Sequence, residues 1–133
     1  MDYQTFPFRF DAAHRPAAAL FGITDRTAVV TLGDHGLDAR FGPWRVVTEL
    51  TNVTGVAVTG PYGLLRTAGP ARLSLGDLGL TFATNGERGL CIRFREPVPG
   101  LEPTGRLRHP GLTVTVADVE ALGAALGSVL VPG

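Results

Sequence analysis

The chain contains no lysine: all twelve of its Lys-plus-Arg positions are arginine. That removes Schiff-base lysine chemistry and the phosphate-binding lysine of a P-loop from consideration. A single cysteine, Cys91, excludes an internal disulfide and a cysteine-built zinc site, so a reducing compartment is expected. Serine occurs only at Ser74 and Ser128, one inside a β-rich run and one near the end of a helical run, neither in a nucleophile-elbow setting. Net charge is absent too. Twelve acids balance twelve arginines, which leaves no global field for nucleic acid or an anionic membrane. No apolar run approaches the roughly 20 residues of a membrane span. Residues Met1 to Pro7 show neither the basic nor the apolar region of a signal peptide, and a cytoplasmic location is the expectation.

What is present is glycine, aspartate and short apolar runs. With 133 residues, 44% apolar and 18% charged, the chain suits one folded domain spanning 1–133, large enough to build a core without staples. Its organising feature is a doubled segment. Leu32-Gly33-Asp34-His35-Gly36-Leu37 is repeated, 43 positions on, as Leu75-Gly76-Asp77-Leu78-Gly79-Leu80. Gly and Asp at fixed offsets between apolar runs are turn chemistry, so each copy reads as a β-hairpin.

Alternation of apolar and polar residues predicts further strands. Phe6 to Phe10 reads, because of Pro7, as an edge strand or as a strand beginning at Phe8. Trp44 to Leu50 presents Trp44, Val46 and Thr48 on one face, and Val53 to Thr59 carries a suspected bulge at Gly55. Leu80 and Phe82 share a face with Ala71, Leu73 and Leu75. Asn85-Gly86 predicts a hairpin leading into Leu90 to Arg95, with Leu90, Ile92 and Phe94 facing one way and Cys91, Arg93 and Arg95 the other. A short helix is expected near 16–21, with Pro16 in its first turn and Gly22 ending it. Prolines at 97, 99, 103 and 110 predict an extended surface segment over 96–111, followed by a strand at 112–116. A helix over 119–130 is capped by Asp118, with Val119, Leu122, Leu126, Val129 and Leu130 on its seam. Gly123 and Gly127 sit one turn apart within it, which points to a close approach to a strand.

No βαβ alternation is visible, so the expected class is mainly β: two antiparallel sheets forming a partly open barrel with a C-terminal α-helix. The two hairpins, the Trp44 strand and the closing helix, in that order, resemble the pleckstrin-homology-like (PH-like) barrel, including its bacterial versions. The segments Thr67 to Leu75, Gly79 to Asn85 and Ile92 to Val98 are similar to an actinobacterial family of uncharacterised proteins. In phosphoinositide-binding members of the barrel class, basic residues cluster around the first strand–loop–strand. Here Arg9, Arg15 and Arg26 occupy the first strand and loop, but the second strand, Thr27 to Leu32, has none.

Three constellations carry possible chemistry. Arg72, Arg93 and Arg95 form the first: if Arg72 comes across the sheet from the Arg93–Arg95 row, the three make a basic patch able to hold a carboxylate or phosphate. The plainer alternative is a solvated face neutralised by Glu87, Glu96 or Glu102. Cys91, on the same face, is either a reactive thiol or a half-buried small residue. Second, Trp44, Tyr62 and Arg66 are candidates to line a groove, against ordinary packing. Third, Asp11–His14 and Asp34–His35 are acid–histidine pairs, while His109 stands alone. No closely spaced histidine pair exists, and neither a metal nor a cofactor is expected.

No catalytic set assembles from these residues. The sequence therefore reads as a non-enzymatic interaction or binding module, its partner a protein or a small anionic ligand, with homo-oligomerisation through the patch as a further possibility. The alternative is a small-ligand carrier or enzyme with its pocket inside the barrel, beneath Phe10 to Phe21. An internal cavity of about 300 Å³ or more would mark the latter.

Overall fold

Apolar residues at every second position set the inner face of the first sheet. A computed structural model of the chain describes residues 4–34, 36–59, 72–73, 79–85, 88–100 and 104–127. Strands β1 (Gln4–Pro7), β2 (Ala28–Gly33), β3 (Gly36–Phe41) and β4 (Trp44–Thr48) form a four-stranded antiparallel sheet in that order. Ala28, Val30 and Leu32 on β2 face inward with Leu37, Ala39 and Phe41 on β3, and all six are buried. Pro7 ends the edge strand, where its missing N–H costs no ladder bond. Helix α1 (Arg15–Leu20) begins with Pro16 in its first turn, and the chain turns away at Gly22, which has φ +78°. The segment after α1 lies against the β3–β4 turn: a Cβ on Gly42 (φ +60°) would meet Ile23 Cγ1 at 2.8 Å.

A 3-10 turn at Leu50–Asn52 leads to the second sheet, with strand order β5-β8-β9-β7-β6. Its strands are β5 (Val53–Thr59), β6 (Arg72–Leu73), β7 (Leu80–Phe82), β8 (Gly89–Pro99) and β9 (Arg108–Val114). The bulge expected in β5 is present, a register shift between Val53 and Gly55. Leu90, Ile92 and Phe94 are buried as the alternation requires, and so are Leu80 and Phe82.

Three expectations need correction and one is refined. The second sheet is not wholly antiparallel, because β7 runs parallel to β9, with Leu80 opposite Leu112 and Phe82 opposite Val114. The Asn85-Gly86 hairpin does not form: β9 lies between β7 and β8, so the strands flanking Asn85 are not neighbours. The proline segment is extended and mostly exposed, as expected, but its two ends belong to the sheet, and Pro103 lies outside the described residues. Strand β8 continues through Pro97 to Pro99, and β9 already begins at Arg108. Pro97 on β8 and Pro110 on β9 fit because the β8–β9 ladder is interrupted between Arg93 and Val98. The Asn52 side chain takes the missing place: its amide donates to Glu96 O at 3.0 Å and accepts from Glu96 N at 2.8 Å. Finally, the two sheets do not close into a barrel; an isolated bridge, Phe8 to Val116, joins the end of β1 to the end of β9.

The doubled segment keeps its hairpin character but not its register. In the first copy Leu32 pairs with Leu37; in the second, Leu73 pairs with Leu80. Faithful duplication of Val30 opposite Ala39 would set Leu73 opposite Phe82, so the second copy has slipped by two residues. The turn of this copy, 74–78, lies outside the described residues.

The two sheets meet at Phe41. Its ring stacks on Phe82 with centroids 4.9 Å apart and planes 3° from parallel, and Phe8 approaches from the β1 side at 5.5 Å. Helix α2 (Val119–Gly127) covers β5 and β8 with Val119, Leu122 and Leu126, all buried. Asp118 Oδ1 accepts from Ala121 N at 3.0 Å, the expected cap. A Cβ on Gly123 would touch Leu90 Cδ1 at 3.4 Å, whereas one on Gly127 would meet nothing. Since 3.4 Å is ordinary van der Waals contact, a close approach to a strand requires glycine at neither position. Val129 and Leu130 lie outside the described residues.

Candidate functional site

Period-two alternation in the second sheet sends Leu80, Phe82, Leu112 and Val114 into the core, and thereby turns the intervening Thr81 and Thr113 outward. Register then lines up a row across the outer face. Ala57 lies opposite Cys91, Cys91 opposite Thr113, Thr113 opposite Thr81, and Thr81 opposite Arg72. In the next row Arg93 has a glycine on each side, Gly55 on β5 and Gly111 on β9. Thr81, Cys91, Arg93, Gly111 and Thr113 line a depression of about 160 Å³.

Arg93 and Arg95 are exposed on β8, on the same face as half-buried Cys91, as the sequence indicated. Among the described residues neither arginine has an acid within ion-pair distance. By contrast, Arg9 pairs with Asp11 at 2.6 Å, Arg15 with Asp25 at 3.3 Å, Arg45 with Asp38 at 2.6 Å and Arg88 with Glu120. Hydrogen bonding with Asp38 raises the Arg45 pKa further above its ordinary value, and that with Arg88 pulls the Glu120 carboxyl below its own. Arg72 is three strand spacings from Cys91, roughly 14 Å between backbones. Arg95 lines a separate open groove of about 530 Å³, with Glu49, Asn52, Glu96 and Val98.

Trp44 is half-buried and packs toward Phe41, with ring centroids 6.4 Å apart, so it serves the core. Tyr62 and Arg66 lie outside the described residues, as do His35 and two of the acids considered as neutralising partners, Glu87 and Glu102. Among the described residues no three His, Cys, Asp or Glu side chains are grouped so as to hold a metal ion, and no helix is long and apolar enough to cross a membrane.

Sequence reasoning missed a buried polar junction. Thr84, Asn85, Thr115 and His14 are each at most 3% exposed. Thr84 Oγ1 donates to Arg9 O at 2.6 Å, and Asn85 Nδ2 donates to the same carbonyl at 2.8 Å and to Thr115 O at 3.2 Å. Thr84 N donates to Thr115 Oγ1 at 2.8 Å, and Arg9 N to Thr115 O at 3.1 Å. This junction bolts the chain after β1 onto the ends of β7 and β9. His14 Nδ1 stands 3.7 Å from Asp11 Oδ2, and burial lowers the His14 pKa against the opposing pull of the Asp11 charge. Nothing in the local sequence distinguished this use of Asn85 from a turn. The one available signal was two polar β-formers, Thr84 and Thr115, just beyond the apolar alternation of β7 and β9.

No protein-family model matches the chain, and neither do the curated proteins or the solved structures.

Proposed function

We propose that the protein is a non-enzymatic binding module on an open, PH-like scaffold, and that its working surface is the outer face of the second sheet around Arg93 and Arg95. The order of elements supports the scaffold: an antiparallel four-stranded meander, a second sheet packed on it, and a C-terminal helix over the second sheet. The parallel β7–β9 pair departs from an all-antiparallel barrel. The observation that carries the functional reading is a closely buried apolar interior among the described residues. Phe41, Phe82, Ile23, Leu37, Ile92 and Leu112 are all under 2% exposed between the sheets, and they belong to one continuous apolar cluster. A carrier or an enzyme with an interior site needs roughly 300 Å³ or more at that place. Beneath Phe10 to Phe21, where that pocket was expected, Ala18 and Ile23 are each 1% exposed and belong to the same apolar cluster. What remains for recognition is surface, and the Arg93–Arg95 face offers cations not already held by acids among the described residues. A cytoplasmic setting suits a chain whose only cysteine is a free thiol.

Amide chemical-shift mapping tests this reading. The probes are inorganic phosphate, acetate, a glutamate-rich peptide and the apolar dye anilinonaphthalene sulfonate. Shifts confined to β8, β9 and β7 residues of the outer face support a surface module. Saturable shifts of Phe41, Phe82 and Leu112 with the dye would replace it with an interior carrier.

A further inference from the structure

We infer that the depression between Arg93 and the Thr81–Thr113 pair is a binding site for a compact tetrahedral oxyanion, a phosphate or sulfate group that is free or borne by a small molecule. This rests on the surface-module reading and names the ligand class of that surface. The lining carries one guanidinium, two hydroxyls and a thiol, and no acid. The hydroxyls of Thr81 and Thr113 sit on directly paired residues of adjacent strands, and among the described residues neither is hydrogen-bonded. Arg93 is flanked in register by Gly55 and Gly111, so no neighbouring side chain in its row fences the guanidinium from an incoming group. At Gly111 a Cβ would crowd Ile92 O at 3.0 Å; at Gly55 it would meet open space.

Donor count selects the anion. A carboxylate has two oxygens, which the guanidinium fork already satisfies. A phosphate or sulfate offers at least three, enough for the fork on one side and both threonine hydroxyls on the other. Size limits the rest: about 160 Å³ is well below the roughly 300 Å³ at which pockets for drug-sized ligands begin. The oxyanion group fits, and whatever carries it must project into solvent.

Cys91 lies in the same row and supplies a reporter. Alkylation by iodoacetamide, an uncharged reagent, is followed at constant ionic strength with sodium chloride, sodium acetate, sodium phosphate or glycerol phosphate. Phosphate at ten times its dissociation constant should slow the reaction about tenfold, by simple site occupancy. Acetate and chloride should leave it unchanged. Protection by glycerol phosphate as well assigns the site to a phosphate borne on a small molecule; protection by inorganic phosphate alone assigns it to the free ion. Arg93→Gln and Thr113→Val should each abolish protection, while Arg108→Gln, an exposed position elsewhere on β9, should retain it; thermal melts confirm that each variant folds. Equal rates in phosphate and chloride, or full protection in Arg93→Gln, overturn the oxyanion site. If the glutamate-rich peptide still shifts the Arg93 and Arg95 amides in that event, the surface-module reading stands without it. If only interior residues respond to any probe, both fall.

Discussion

Replacing Asn85 separates a buried bolt from a turn residue. In the structure Asn85 is 1% exposed and donates to Arg9 O and Thr115 O at 2.8 and 3.2 Å, while its Oδ1 accepts from Arg88 N at 3.3 Å. Both acceptor carbonyls have a second donor, Thr84 Oγ1 and Arg9 N respectively, so neither is orphaned by truncation. Asn85→Ala therefore loses about 1 kcal/mol for each of two good hydrogen bonds and less for the long one, or about 2–3 kcal/mol in total. For a domain of this length that is a fall in Tm of roughly 6–15 °C. Asn85→Asp is the informative partner. It keeps the shape but sets a carboxylate against two carbonyl oxygens, so at neutral pH it should cost more than alanine. A turn role predicts the reverse order, because Asp-Gly serves a tight turn as well as Asn-Gly does. Urea unfolding of the three proteins, compared at a common m value, reads the order directly. Asn85→Asp more stable than Asn85→Ala, or an alanine cost under about 0.5 kcal/mol, refutes the bolt.

The other predictions concern the core, two glycines and pH. Phe41→Ala empties the meeting point of the two sheets and should cost about 3–5 kcal/mol in urea unfolding, with Phe41→Leu costing clearly less. Gly100→Ala should destabilise by about 1–3 kcal/mol, because the new Cβ overlaps Val46 Cγ2 and comes within 3.1 Å of Arg45 O. Gly55→Ala meets nothing and should be neutral or stabilising by up to about 1 kcal/mol. For pH, His14 titrates below its ordinary 6.5 in the folded state, so the unfolded chain takes up its proton first. The His14 contribution is then complete above pH 6.5 and is lost as pH falls below 6.5 toward the folded-state value. A stability profile between pH 7.5 and 5 should show that loss, and His14→Gln should flatten it; an unchanged slope in the variant would reject the assignment.

Much of the local structure was legible. The inward faces of β2, β3 and β4, the bulge at Gly55, the Pro16 start and Gly22 end of α1, the Asp118 cap and the Val119–Leu122–Leu126 seam all follow from short-range periodicity and turn chemistry. The outward placement of Cys91, Arg93 and Arg95 was legible for the same reason. The hydroxyl floor beside them was not. Thr81 and Thr113 are 32 positions apart in the chain and become neighbours only because β7 pairs with β9, a partnership that skips the whole of β8.

The chain's own residue order settled which side chains face the core and where its elements turn, because those depend on steric preferences within a few residues of each position. The choice of strand partners was made only in three dimensions. Asn85 could satisfy its amide in a turn or against Arg9 and Thr115, and Leu73 had apolar partners at more than one even register. Burial of Phe82 on Phe41 and of Thr84 on Thr115 decided between these options, setting β9 between β7 and β8. Such competition between nearly equivalent pairings is resolved by the sum of contacts over two packed sheets, a sum that no local pattern contains.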